Sequence, residues 1–239
     1  MASALLGMFS LFEAHFRALF EEPGQGGALA PLIAAWALGA VLGMRHAFEP
    51  DHLAAVATFV GEKRGLGASW LGAAWGLGHT LALVAVGGAL VALRLEMPAS
   101  IEATLELLVA FTLMGLGGLG LARASGWRRA QEDHAHVSLW HRGRRPLTIG
   151  LIHGLAGSGA LTVLVMARMP SVSAALVFMA LFGLGSAATM ALVTGLVGRS
   201  LEGAQRGARL QRGLPFVTAT VSLAVGVVWG VESLRALLA

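Results

Sequence analysis

Two imidazoles and two carboxylates fall within seven residues of one apolar stretch, His46-Ala47-Phe48-Glu49-Pro50-Asp51-His52, an H-x4-D-H run. Imidazole nitrogen beside carboxylate oxygen suits Ni²⁺, Co²⁺ or Zn²⁺. The chain has no cysteine, so thiolate ligation is excluded. In a straight helix His46 and His52 would point about 240° apart after one full turn. Pro50 removes a backbone donor and crowds the preceding turn. A break there is expected to let both rings turn to one point and to free the His46 carbonyl. Glu49 and Arg45 are candidates for proton carriage or for support of the site. Arg45 either pairs with Glu49 four residues on or snorkels to the interface, and the sequence leaves both open. Four further candidates lie elsewhere. His79 sits in Gly76-Leu77-Gly78-His79-Thr80 and offers a third imidazole. His153 and Ser158, in His153-Gly154-Leu155-Ala156-Gly157-Ser158-Gly159, and Ser186, in a later apolar run, are candidates for a second-half site. The plainer alternative is that these groups only hydrogen-bond within a helix bundle.

The elements that must hold them are membrane spans. The chain has 239 residues, 56% hydrophobic and 13% charged, against about 25% charged in soluble domains. A core this small cannot hide so much apolar surface, so lipid is the expected solvent. Spans of about 20 apolar residues are expected near 29–60, 69–95, 101–122, 147–169, 171–198 and 214–238. A charge at mid-bilayer costs ~2.5–3.5 kcal/mol on insertion scales. The ionisable groups of the first span are therefore expected to face a cavity or a partner. Residues 1–22 carry their apolar side chains on one helical face and read as an interfacial helix; Glu13, His15 and Arg17 argue against a cleavable signal. Loops 61–68, 123–146 and 199–213 hold 12 of the 17 Lys and Arg residues. The positive-inside rule then places these loops in the cytoplasm and both termini outside, in a multi-pass cell-membrane protein. The basic residues are read as a topology signal, with no nucleic acid expected as a partner.

The sequence repeats itself. Gly43-Met44-Arg45-His46 aligns with Gly150-Leu151-Ile152-His153 at a shift of 107 residues, and Trp75-Gly76-Leu77-Gly78-His79 with Phe182-Gly183-Leu184-Gly185-Ser186 at the same shift. Three spans per unit force the two copies to lie upside down relative to each other, an architecture of transporters. The expected fold is therefore an all-α integral membrane protein of about six helices in two inverted three-helix repeats. Broken helices at His46–His52 and His153–Gly159 are expected to form the substrate site. The divisions are 1–28 for the interfacial helix, 29–122 for the first repeat, 123–146 for a cytoplasmic loop rich in Arg and His, and 147–239 for the second repeat. Within that loop His134, His136 and His141 read as incidental rather than as a metal trap.

At these residues the sequence resembles the nickel/cobalt transporter (NiCoT) family, and within it the urease-associated branch often called urease accessory protein H, or UreH. The likeness rests on Arg45-His46-Ala47-Phe48-Glu49-Pro50-Asp51-His52-Leu53 followed by Leu77-Gly78-His79-Thr80. The stretch Gly150-Leu151-Ile152-His153-Gly154-Leu155-Ala156-Gly157-Ser158 is similar to the second-half motif of that branch, and the resemblance covers most of 40–200. It implies that His46, Asp51, His52 and His79 bear on recognition and passage of Ni²⁺ or Co²⁺, carried as substrate with no resident cofactor. Where the best-known permeases continue with an Asp-Asn-Thr-Thr-Arg-like run, this chain has Ala57-Thr58-Phe59-Val60-Gly61. It also has about six spans rather than eight.

The expected function is transport of a divalent transition metal, by a chain that is not an enzyme. No G-x4-G-K-S/T loop is present for ATP hydrolysis. The alternatives are a carrier of Mn²⁺, Zn²⁺ or a small anion, a haem-bearing electron-transfer subunit, and an intramembrane serine protease of the rhomboid type. The last would use Ser158, but Ala156 stands where that signature needs glycine. The lipid bilayer and the cation are the expected partners, with a homo-oligomer or a metal-delivery protein left open.

Overall fold

The computed structural model describes residues 29–62, 66–125, 139–203 and 208–238. The amphipathic segment 1–22, His134 and His136 lie outside the described residues, as do the side chains of His141 and Ser158. All regular structure among the described residues is helical. Helix α1 runs Leu29–His46, α2 Pro50–Glu62 and α3 Leu66–Ala82. A π-helical turn, Leu83–Gly87, joins α3 to α4, Gly88–Leu93. Then follow α5 Ala99–Ala124, α6 Leu139–Arg168, α7 Val172–Gly203 and α8 Ala208–Leu238.

Four of these rods are long and apolar enough to cross a membrane: Gly67–Leu93, Ala99–Ala124, Val172–Ser200 and Pro215–Leu238. They coincide with four expected spans. Their surfaces are inverted relative to those of a soluble protein. Leu77, Leu81, Leu184, Leu192, Phe216 and Val228 are exposed, while Asp51, His52, His79, His153, Ser186 and Thr194 are buried. Large apolar side chains turned outward, with the ionisable groups held inside among an apolar core, are what lipid selects.

The first long apolar stretch breaks where Pro50 predicts. Proline sits at the first position of α2, where its missing donor costs least. The break does not free the His46 carbonyl. Glu49 N–H donates to His46 O at 3.0 Å and Phe48 N–H to Arg45 O at 3.0 Å, so a tight turn satisfies both carbonyls. The expected carbonyl ligand is thereby lost. A second expectation also fails: α6 continues through His153–Gly159 to Arg168 with no interruption. Gly157 occupies the place of Pro50 but keeps its N–H, so nothing forces the ladder open.

The helices meet through glycines in reciprocal pairs. A Cβ on Gly43 would overlap the Phe182 carbonyl, and one on Gly150 the Trp75 carbonyl. Gly78 meets Leu147 as Gly185 meets Ala40, and Gly76 meets Ala187 as Gly183 meets Thr80. Each pair is the other displaced by 107 residues with its members exchanged. In this way α1 packs on α7 and α3 on α6, while α3 and α7 pack on each other. Helices α5 and α8 form a separate antiparallel pair, since Ser222 of α8 bonds Leu113 O of α5 at 3.0 Å while Ser233 reaches Glu106 at 3.3 Å. Helix α2 lies against α5, α7 and α8, which brings its first turn to the middle of the bundle.

Candidate metal centre

His46 closes α1, and Asp51 and His52 occupy the first turn of α2. The three-residue turn between them reverses the angular separation that a straight helix would impose. The His46 and His52 rings lie 4.4 Å apart between centroids. His79, from α3, completes a triangle at 5.3 Å from each. One ligating atom from each of the three lies within 4.8 Å of the others, and the same holds for Glu49, Asp51 and His52. His153, from α6, stands 5.9 Å from His52. Trp75 walls the group, 5.2 Å from His52 and 5.6 Å from His153, and Phe182 closes over His46 at 5.2 Å.

The hydrogen bonds sort the nitrogens. His46 Nδ1 is 3.1 Å from Glu49 Oε1. His153 Nδ1 is 3.0 Å from Ile149 O. A carbonyl oxygen only accepts, so His153 Nδ1 carries the proton and Nε2 keeps its lone pair in the neutral ring. The Glu49 contact can hold His46 in the same tautomer, the usual way an outer partner orients a metal-binding histidine. Asp51 Oδ1 lies 2.8 Å from His52 Nδ1, but the pair is misaligned and neither atom makes a hydrogen bond. His46 Nε2, both nitrogens of His52 and His79, and His153 Nε2 are buried with no hydrogen-bond partner. Each unsatisfied buried polar atom costs about 1–3 kcal/mol. A neutral imidazole keeps a single lone pair, so these four rings could offer an electrophile at most four nitrogens at one place.

A cavity of about 330 Å³ opens beside the cluster. His46, Glu49, Asp51, His52 and His153 line one wall; Glu106, Val109, Trp229, Glu232 and Ser233 line the wall contributed by α5 and α8. Of the sequence-predicted residues, His46, Asp51, His52, His79 and His153 come together. Arg45 is exposed, and Glu49 turns to His46 instead. Ser186 is buried with Oγ unpartnered, but it does not line the cavity. The acidic wall was missed. Glu106 and Glu232 stand inside apolar spans, the same signal that marked Asp51.

No family model matches the sequence, and no solved structure matches it. The urease accessory protein UreH of Bacillus sp. (strain TB-90) is 31% identical over 209 residues, covering 82% of this chain and 90% of that protein. Two chloroplast proteins of Arabidopsis thaliana, FOR GROWTH AND FERTILITY 2 and 1, are 25% and 26% identical. Each alignment covers 82% of this chain but 55% and 58% of those longer proteins.

Proposed function

The chain belongs to the family of the urease accessory protein UreH, and on that footing we propose that it carries a divalent transition metal, Ni²⁺ or Co²⁺, across the membrane. The observation that carries this reading is the convergence of unpartnered imidazole nitrogens at the break between α1 and α2, beside an open cavity. Neutral imidazole lone pairs beside carboxylates suit a cation better than an anion, and a serine protease needs only one such base. Three imidazoles with a carboxylate are also poor ligands for Mg²⁺ and Ca²⁺, which prefer oxygen.

The residues divide the work. The turn at 47–49 aims His46 and His52 at one point, and α3 brings His79 to them. Glu49 fixes His46 so that Nε2 faces the cation. Asp51 supplies negative charge where burial would otherwise make a cation unwelcome. Asp51 and Glu49 are also the groups able to release or take up protons as the cation comes and goes. On this reading the chain is a NiCoT-type permease rather than an enzyme. It has six spans, the α1–α2 pair and α6 joining the four apolar rods. The reciprocal glycine contacts support inverted repeats, since a two-fold relation makes residue i meet j wherever j meets i. Arginine placement supports a cell-membrane topology with both termini outside.

The test is uptake of radioactive nickel by cells expressing the chain. His46→Ala and Asp51→Ala should each abolish uptake while the protein still reaches the membrane. Normal uptake in both would remove this site from the transport path. A binding titration of purified protein with Ni²⁺, Co²⁺, Zn²⁺ and Mn²⁺ then ranks the cargo.

A further inference from the structure

The acidic wall of the cavity has no part in the ligand sets described above. Among the described residues, the ligating atoms close enough to share one ion belong to His46, His52 and His79 or to Glu49, Asp51 and His52. Yet Glu106 and Glu232 line the same cavity as those residues. Glu106 stands in the second turn of α5, in the electrostatic field of both Glu102 and Glu232. Ser233 donates to Glu106 Oε2 at 3.3 Å, which ties α8 to α5 there. Like charges gathered at the edge of a low-dielectric bundle repel, and either a bound proton or a cation between them relieves that repulsion. No Lys or Arg lines the cavity to neutralise them. Facing them across it are Asp51 and His153, both buried, with Asp51 Oδ1 and His153 Nε2 unpartnered.

We propose that Glu106 and Glu232 form a second, weaker divalent-cation site that collects a partly hydrated ion and hands it across the cavity to the histidines. This deepens the transport reading and rests on it. Few protein ligands at this wall mean that the ion keeps most of its water there and leaves readily. The tight site strips that water with imidazole. The wall also fixes the side from which the ion arrives. Glu106 lies about 10 Å from the start of α5 at the usual helical rise, and Glu232 is equally close to the end of α8. Both helix ends lie on the side opposite the arginine-rich loops. The cavity is then an outward-facing vestibule in which paired carboxylates raise the local cation concentration.

The experiment is equilibrium Ni²⁺ binding to the purified full-length protein in detergent, with uptake measured alongside. The wild type should bind one ion tightly and a second at least ten-fold more weakly. The isosteric double variant Glu106→Gln/Glu232→Gln should lose the weak ion and keep the tight one. Its uptake KM should rise about ten-fold with little change in maximal rate. Glu96→Gln, a control outside the cavity, should change neither. His46→Ala should lose the tight ion and keep the weak one. A wild type that binds a single ion, with the double variant unchanged in binding and KM, overturns the second site and leaves the transport reading standing. A wild type that binds no ion overturns both. If the double variant loses the tight ion as well, the carboxylates belong to the histidine centre and the separate site is refuted.

Discussion

Between His46 and Pro50 the first half of the chain stops one helix and starts another, turning two imidazoles toward each other at 4.4 Å. The matching stretch of the second half, His153 to Gly157, is one turn of a helix that never stops. Around this difference the two halves are alike: glycines 107 residues apart meet partners at corresponding positions of the opposite half. What differs is chemistry. Asp51 and His52 correspond to Ser158 and Gly159, His79 to Ser186, and only the His46–His153 pair keeps its imidazole. The frame is therefore separable from the ligands. Both halves build the scaffold, and the first half supplies most of the imidazoles and carboxylates gathered in it.

The sharpest way to break the contrast is to make the first half continuous. Pro50→Ala restores the missing N–H donor and allows α1 to run into α2, which would carry His52 away from His46. Nickel binding should fall by at least about 100-fold, the upper end of what disturbing mere ligand-orienting partners costs. Binding within ten-fold of wild type would show that the turn survives without proline. The shared frame is tested next. Gly43→Ala and Gly150→Ala each drive a methyl into a carbonyl of the opposing helix, and overpacking of this kind costs about 1–3 kcal/mol. Both should lower the thermal midpoint by similar amounts. A loss confined to one of them would break the reciprocity. The smallest effect is expected at Ser186→Ala. Its Oγ is buried and unpartnered, so its removal should leave stability within about 1 kcal/mol or slightly improved, with nickel titration unchanged. The same substitution at His79 should abolish tight binding.

Much of this was written in the sequence. Proline between two histidines announced the break, because a missing donor has a local and obligatory consequence. The repeat aligned the glycines of the two halves, but which helices they would touch was not legible in it. The unbroken α6 was not legible, since glycine permits a break but does not require one, and packing against α3 decides the matter. The satisfied His46 carbonyl was illegible for a related reason. A tight turn supplies its own donor from Glu49, a residue the pattern marked only for its side chain. Glu106 and Glu232 were visible as charges inside apolar spans, but they lie more than 100 residues apart along the chain. Only the antiparallel pairing of α5 with α8 brings them to one wall.

The glycine contacts also set the thermal character of the bundle. Helices already immersed in hydrocarbon bury little water-exposed apolar surface when they associate, and contact between small residues supplies the attraction instead. Separating them should therefore carry a smaller heat-capacity change than unfolding a soluble domain of equal length, because that quantity tracks apolar surface newly hydrated. The cohesion of the two halves should then vary only gently as the temperature falls.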